Sequence, residues 1–288
     1  MNTLLIFIVG ILLLLVIALA VIHLGFRAPR IKETSTPGDI GIEYEQVQIP
    51  THASKQLFGW LLSQKTSDET LIILHGWGAN IELMLPIALP FYEAGMNVLL
   101  FDARSHGQSD TDTFSSLPRF AEDLSHAIDW LKQTHPNSTQ KIALLGHSVG
   151  AGAVLLEASR RDDIQAVISL SAFAHAAWVM HRYLKHFHIP SPLRALVLRY
   201  VEWVIGHRFS SFAPLDTVCK IHCPILLVHG KDDTTVPIED AHSIIANCPE
   251  PHLSLLEIDD AKHDSVEKIE EHGWQLVSFL RSAGFEVN

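Results

Sequence analysis

The stretch that most constrains the fold is Lys141–Gly152, with the sequence KIALLGHSVGAG. An apolar run that reads as a buried strand leads into G-x-S-x-G at residues 146–150, and a helical pattern follows over Ala151–Arg160. The glycines permit a turn so sharp that side chains there would collide with the neighbouring strand and helix. Such a turn holds Ser148 in a strained conformation with its hydroxyl exposed above the sheet. The pattern predicts a nucleophilic serine; the alternative is a glycine-rich turn whose serine only caps the helix.

Composition bounds the domain organisation and the kinds of partner. The chain has 288 residues, 48% of them hydrophobic, which is enough for one large α/β domain or two small ones. Its net charge is −11 and it contains no long basic run, so we expect no nucleic-acid partner. The three cysteines, Cys219, Cys223 and Cys248, fit no metal pattern and give no sign of a disulfide framework. We interpret Cys219 and Cys223 as small apolar side chains, and we expect neither a metal nor a cofactor.

The N-terminus carries an apolar segment of membrane-spanning length. Leu4–Ile22 has nineteen residues without a charge, about the length that crosses a ~30 Å hydrocarbon core as a helix. The alternative is a secretory signal cleaved near Ala18-Leu19-Ala20. No Lys or Arg precedes the segment, whereas Arg27, Arg30 and Lys32 follow it. The sequence therefore favours a single-pass anchor with the rest of the chain in the cytoplasm, the alternative being a secreted or extracytoplasmic domain.

Downstream of this segment, predicted strands and helices alternate. We expect an anchor over residues 1–24, a linker over 25–43 and one α/β domain over 44–288. The predicted strands are residues 44–49, 57–62, 70–74, 97–101, 142–146, 165–170, 224–228 and 253–258. The predicted helices are residues 81–94, 117–133, 151–160, 238–246 and 265–280. This alternation predicts a mostly parallel sheet of about eight strands covered by helices on both faces.

One insertion, at about residues 174–214, interrupts the alternation. It is rich in aromatic residues, histidine and arginine, and a structureless loop of this length is uncommon in a compact domain. Helical spacing between residues 193 and 204 predicts a helical cap over the sheet edge, because the insertion leaves the sheet at the same strand ends as the serine turn. The alternative is a helical insertion remote from the site.

Two later strand ends offer partners for Ser148. A serine hydroxyl is a weak nucleophile until a base accepts its proton, and the base works best when a carboxylate orients it. Asp232 and Asp233 follow the strand at 224–228, and His263 follows the last strand. Serine, then acid, then histidine is the chain order of one known triad arrangement. On these grounds either aspartate is a candidate acid, and the alternative for His263 is a surface histidine.

With these motifs the chain resembles the α/β-hydrolases, over roughly Gln46–Gly284 apart from the cap. Members often carry G-x-x-D-x-x-V-P after the penultimate strand, and residues 230–237 match this pattern. The resemblance implies that Asp233 is the triad acid. It also implies two oxyanion donors: the backbone N–H of Val149, directly after the nucleophile, and that of Trp77 in the family's H-G-x-x segment.

A further stretch of the resemblance is residues 101–109, FDARSHGQS, which is similar to the family's D-x-R-G-x-G-x-S. Ser105 stands where glycine is usual, which implies a slightly altered turn. We interpret Asp102 and Arg104 as a pair that braces this loop rather than as catalysts.

Together these features predict a membrane-anchored serine hydrolase that cleaves carboxylic esters through an acyl-enzyme intermediate. The aromatic cap and the adjacent bilayer favour a lipid-like or other apolar acyl substrate. We expect substrate contacts from His75, Trp77, His147 and Trp178. The alternatives are a serine peptidase acting on short peptides and a non-catalytic, hydrolase-like membrane scaffold.

Overall fold

The computed structural model describes residues 2–25 and 27–287. Met1 of the predicted anchor, Phe26 of the predicted linker and Asn288 of the predicted domain lie outside the described residues.

Eight strands form one mixed sheet with the order β1-β2-β4-β3-β5-β6-β7-β8. β1 pairs antiparallel with β2, β2 pairs antiparallel with β4, and all later neighbours are parallel. This confirms the predicted mostly parallel sheet. The strands are β1 Glu45–Thr51, β2 Lys55–Leu62, β3 Glu69–Leu74, β4 Asn97–Phe101, β5 Lys141–His147, β6 Ala166–Leu170, β7 Ile225–Gly230 and β8 Leu253–Ile258.

Helices cover both faces of the sheet, as predicted. They are α1 Asn2–Gly25, α2 Ile81–Glu93, α3 Leu117–Thr134, α4 Val149–Ala158, α5 Ala176–His186, α6 Ser191–Ile205, α7 Pro214–Thr217, α8 Glu239–Asn247, α9 Val266–Glu270 and α10 Gly273–Ser282. One apolar cluster joins α3, α4 and the segment 198–218 to one face. A second cluster joins α2, α9 and α10 to the other face. The strands β3 to β7 are therefore buried on both sides, which explains their largely apolar sequences, whereas the edge strand β8 is partly exposed.

The prediction of one final helix over 265–280 is wrong in one respect, because the structure has two helices there. α9 ends at Glu270, and α10 begins at Gly273. A Cβ on Gly273 would lie 2.5 Å from Pro90 Cγ of α2. At this position α10 approaches α2 so closely that there is no room for a side chain.

The insertion at 174–214 forms two helices, α5 and α6, followed by α7. On α6 only Leu198 and Val201 are buried, and both join the apolar cluster that contains α3 and α4. Large apolar side chains on the outer surface remain exposed, including Tyr183, Leu196 and Trp203.

The bonding of the cysteines differs from the prediction made from the sequence. Cys219 and Cys248 form a disulfide, with their Cα atoms 5.5 Å apart. Cys223 is free and partly buried, and burial raises the pKa of its thiol to about 11. The pairing was missed because the two residues are separated by 29 positions and meet only when α8 packs beside the segment before β7.

Among the described residues, one helix has the length and composition needed to cross a membrane. It covers Leu5–Gly25, with a mean hydropathy of 3.5 and no burial against the rest of the chain in its apolar window. A membrane anchor and an uncleaved signal sequence share these properties.

Candidate active site

Ser148 lies in the turn between β5 and α4, with φ 54° and ψ −113°. The two flanking glycines explain how the chain reaches this conformation. A Cβ on Gly146 would lie 2.3 Å from the carbonyl oxygen of Gly150. A Cβ on Gly150 would lie 2.4 Å from the carbonyl oxygens of Leu74 and His75. Because no larger residue fits at either position, the glycines allow the turn that holds the serine in a rare backbone conformation.

The structure brings Ser148, His263 and Asp233 into one hydrogen-bonded chain. His263 Nε2 lies 2.9 Å from Ser148 Oγ, and His263 Nδ1 lies 2.7 Å from Asp233 Oδ2. The three residues follow β5, β8 and β7, whose carboxyl ends meet at one edge of the sheet. Asp232, the other candidate acid, is exposed.

Asp233 is held as a carboxylate by groups that donate hydrogen bonds to it. Its Oδ1 accepts the N–H groups of Thr235 at 2.9 Å and Val236 at 2.8 Å. Burial opposes ionisation, but the hydrogen bonds from His263 and from the Val236 N–H outweigh it and lower the pKa of Asp233. An ionised Asp233 accepts a hydrogen bond from the Nδ1–H of His263, which leaves the Nε2 lone pair free to accept the serine proton.

A second histidine, which the sequence analysis missed, supports this acid. His229 Nε2 donates a hydrogen bond to the carbonyl oxygen of Val236 at 2.8 Å and lies 3.6 Å from Asp233 Oδ2. Burial lowers the pKa of His229, which favours its neutral form. His229 therefore fixes the turn that carries Asp233. In the sequence, the one feature that could have indicated this role is the position of His229 at the end of β7, directly before the G-x-x-D pattern.

The two predicted oxyanion donors lie beside the serine. Val149 is the first residue of α4, so its N–H has no acceptor within the helix. Trp77 belongs to the loop after β3, and this loop touches the serine turn: a Cβ on Gly76 would lie 3.2 Å from Ser148 Cβ. The loop that carries Trp77 therefore lies against the turn that carries Ser148 and Val149.

An apolar cavity of about 140 Å³ adjoins this site, and we call it the acyl cavity. Trp77 and Val149 belong to its wall, and α5 and α6 of the insertion contribute Ala176, Val179, Met180 and Ile205. None of the described residues that line it carries a charge. The remaining lining residues are Ser115, Ser116, Leu117, Phe173, Phe209 and Phe212.

Three of the four predicted substrate contacts are not on this wall. His75 is fully buried; its Nδ1 donates to the Gly76 carbonyl oxygen at 2.7 Å, and its Nε2 accepts the Ala103 N–H at 3.0 Å. The prediction of substrate contact is therefore corrected for His75, which braces the loop instead. His147 donates from Nε2 to the carbonyl oxygen of His263 at 2.9 Å. Trp178 stacks on His175 outside the acyl cavity.

The loop at 102–109 is braced, but not by an Asp102–Arg104 pair. Arg104 forms ion pairs with Asp123 and Glu122 of α3. Asp102 instead accepts backbone N–H groups at both ends of its carboxylate, from Ile81 and Gln108, each at 3.0 Å. The turn change expected at Ser105 is present as a positive φ of 69°.

One group of side chains near the triad has ligand atoms close enough for a metal ion. These are His147, His263 and Asp264, whose ligand atoms lie within 4.8 Å of one another. Both ring nitrogens of His263 already face Ser148 and Asp233, so a metal there would have to displace a triad contact.

Comparison with known proteins identifies the family. Residues 65–214 match the family model Hydrolase_4, described as serine aminopeptidase, S33. The chain belongs to this family. An uncharacterised protein of Bacillus subtilis, YqkD, is 28% identical over 222 residues, which cover 74% of this chain and 72% of YqkD. Protein bem46 of Schizosaccharomyces pombe is 32% identical over 210 residues, covering 70% of this chain and 64% of bem46.

Solved structures extend the similarity to the full sheet. The esterase Pf2001 of Pyrococcus furiosus superposes with a TM-score of 0.74 and 27% sequence identity, covering 89% of this chain and 96% of the esterase. An esterase domain from Rhodothermus marinus, at 23% identity and a TM-score of 0.61, shares the fold. These similarities confirm the predicted α/β-hydrolase fold and establish the chain as a hydrolase of this superfamily.

We expect the buried histidine His106 to make stability fall in acid. Burial is the largest cause that lowers the pKa of His106 to about 4. In the unfolded chain a histidine titrates near its ordinary pKa of about 6.5. Below that pH the unfolded state binds a proton that the folded state does not bind. The free energy of unfolding therefore decreases as the pH falls from about 6.5 towards 4. The variant His106→Phe keeps an aromatic ring against Phe120 but cannot take up the proton.

The free energy of unfolding, measured with urea, should therefore drop less in His106→Phe than in wild type. From about pH 7.5 to about pH 5 the difference should be roughly 2 kcal/mol. His52→Phe, at a position where the side chain is mostly exposed, serves as the control and should keep the wild-type pH dependence. Equal pH dependence in wild type and His106→Phe would contradict a neutral, buried His106.

Proposed function

We propose that this protein is a serine hydrolase that cleaves carboxylic esters with an apolar acyl group. The observation that carries the proposal is the hydrogen-bonded chain Ser148–His263–Asp233 at the strained turn, beside an acyl cavity without charge. Nucleophile, base and orienting acid are the three parts that ester hydrolysis by an activated serine requires.

In the proposed mechanism Ser148 Oγ attacks the ester carbonyl carbon while His263 Nε2 accepts its proton. Asp233 keeps the imidazole oriented and stabilises its cationic form. The oxyanion of the tetrahedral intermediate accepts hydrogen bonds from the N–H groups of Trp77 and Val149. His263 then donates its proton to the departing alcohol, which leaves an acyl group on Ser148. A water molecule then attacks the acyl carbon while His263 Nε2 accepts one of its protons. The bond between the acyl carbon and Ser148 Oγ breaks as His263 returns that proton to the serine, which releases the carboxylic acid.

The acyl cavity supports an ester rather than a peptide substrate. The family description names a serine aminopeptidase, so peptide hydrolysis is the second candidate. An aminopeptidase must hold the α-ammonium group of its substrate, and this charge is costly to desolvate without a carboxylate or carbonyl partner. Among the described residues that line the acyl cavity there is no such carboxylate. Apolar acyl chains gain free energy from the same lining.

The first test is covalent labelling of the full chain with a fluorophosphonate probe. We expect stoichiometric labelling of wild type and none of Ser148→Ala, because only an activated serine attacks the phosphorus. Ser171→Ala is a matched control. Ser171 also has a positive φ directly after a strand, but its backbone N–H donates to the Val228 carbonyl oxygen and it lies outside the hydrogen-bonded chain of Ser148. Folded wild type that stays unlabelled would favour the non-catalytic scaffold.

The second test compares substrate classes at equal concentration. Nitrophenyl butyrate and octanoate should be hydrolysed with a kcat/KM at least about a hundredfold above that of aminoacyl anilides, because one unpaired buried charge costs a few kcal/mol. In Met180→Glu, a carboxylate enters the acyl cavity wall, and activity on octanoate should fall by at least about tenfold. A preference of wild type for the anilides would move the proposal to a peptidase.

We further propose that α1 anchors the enzyme in a membrane, with the domain on the cytoplasmic side. The apolar span Leu5–Gly25 and the basic residues after it support this arrangement. The Cys219–Cys248 disulfide favours the opposite side, since such bonds persist in oxidising compartments. Alkaline phosphatase fused after the C-terminus should be inactive in cells if the proposal is right. An active fusion protein would place the domain outside the cytoplasm.

A further inference from the structure

The segment that leaves α1 is not a free tether but is bound along the rim of the candidate active site. We call residues 29–35 the strap. It lies against two loops: residues 76–82, which follow β3 and carry Trp77, and residues 102–109, which follow β4. The sequence predicted a linker over 25–43, and its composition gave no sign of these contacts.

The first set of contacts fixes the loop that carries Trp77. Gly78 has a φ of +72°, and a Cβ there would lie 2.8 Å from Pro29 Cγ, so the strap touches the residue next to Trp77. Asn80 donates from Nδ2 to the Ile31 carbonyl oxygen at 3.3 Å. In the first turn of α2, Glu82 accepts hydrogen bonds from the Thr34 N–H at 2.6 Å and the Thr34 hydroxyl at 2.9 Å.

The second set fixes the loop that packs behind Trp77. Arg30 Nε donates to the Gly107 carbonyl oxygen at 2.8 Å, and its Nη2 donates to the carbonyl oxygen of Ser109. His106, directly before Gly107, packs edge-on against the Trp77 ring with 6.2 Å between ring centroids. Arg30 therefore ties the strap to the loop whose histidine supports the Trp77 side chain.

Glu33 of the strap is a neighbour of Asp102, which links the two loops through its hydrogen bonds to Ile81 and Gln108. Both carboxylate oxygens of Glu33 are buried without a conventional donor. Burial first, and then the neighbouring Glu33 carboxylate, raise the pKa of Asp102 well above its ordinary range. The raised pKa favours a protonated Asp102, whose O–H can donate a hydrogen bond to the Glu33 carboxylate.

We infer that Arg30 and Glu33 are positioning residues for the oxyanion donor Trp77, and that the segment emerging from α1 is part of the catalytic framework. This inference rests on the proposed function. A backbone N–H stabilises an oxyanion only at a hydrogen-bond distance from it, so a small shift of the Trp77 loop loses much of its effect. Three separate attachments, at Gly78, at Gly107–Ser109 and at Asp102, oppose such a shift.

The test uses the full chain in detergent micelles and a short, soluble nitrophenyl ester. We expect Arg30→Met to lower kcat about tenfold while KM changes less than about twofold, because the oxyanion exists only after the attack. A trifluoromethyl ketone that forms an oxyanion on Ser148 should bind about tenfold more weakly to the variant. A purely structural role would change the melting temperature without this selective loss of affinity for the oxyanion.

Two controls make the experiment specific. Lys32→Met removes a cation from an exposed position on the same strap and should leave kcat and inhibitor affinity unchanged. Glu33→Ala should reduce both, whereas Glu33→Gln, which still bonds to Asp102, should restore most of them. Wild-type kinetics and inhibitor affinity in folded Arg30→Met and Glu33→Ala would overturn the inference. Absence of labelling in wild type would instead refute the proposed function, so the two failures are distinguishable.

Discussion

The close approach of backbone at Gly150 is the constraint on which the candidate site depends. Because this residue has no side chain, the start of α4 can lie against the carbonyl oxygens of Leu74 and His75 at the end of β3. That contact brings the loop after β3 beside the loop after β5. The proposed nucleophile and the two proposed oxyanion donors come from these two loops. A larger residue at this position would separate the two backbone segments even if Ser148, His263 and Asp233 were unchanged.

Around this contact the protein keeps one ionised carboxylate among neutral histidines. Burial lowers the pKa of His147 and His229 and, most strongly, of His75. These rings therefore serve as hydrogen-bonding groups without adding positive charge near His263, where the proposed mechanism forms an imidazolium. In that mechanism Asp233, with its lowered pKa, stabilises the cation. The same ring type thus serves as a framework residue at several positions and as the proposed base at one.

Much of the sheet, and the meeting of Ser148 and His263 with one of two aspartates, could be predicted from sequence by local rules, whereas the choice of Asp233 came from the resemblance to the α/β-hydrolases. Apolar runs mark buried strands, and parallel strands share one carboxyl edge, so residues just after strands converge. The substrate contacts could not be predicted in this way. His75 and His147 stand beside Trp77 and Ser148 in sequence, but their orientation depends on hydrogen bonds to backbone that only the fold supplies.

The strap and the disulfide could not be predicted from sequence for a related reason. Both depend on residues far apart in sequence that meet after packing: Arg30 with Gly107, and Cys219 with Cys248. The composition of residues 25–43, with its prolines and glycines, is typical of a linker and carries no sign of a bound surface. Similarly, α9 and α10 were read as one helix because the contact between Gly273 and Pro90 is not visible in a helical repeat.

The position of the strap also bears on how the chain tolerates processing of its N-terminus. A peptidase that cut after Ala20 would leave Val21 as the new first residue, eight positions before Pro29. Every strap contact would then remain on the mature enzyme, whether it was released or retained in the bilayer. Removal of the chain up to residue 36 would have a different effect, because the loops around Trp77 and Gly107 would lose their shared partner and gain water in its place.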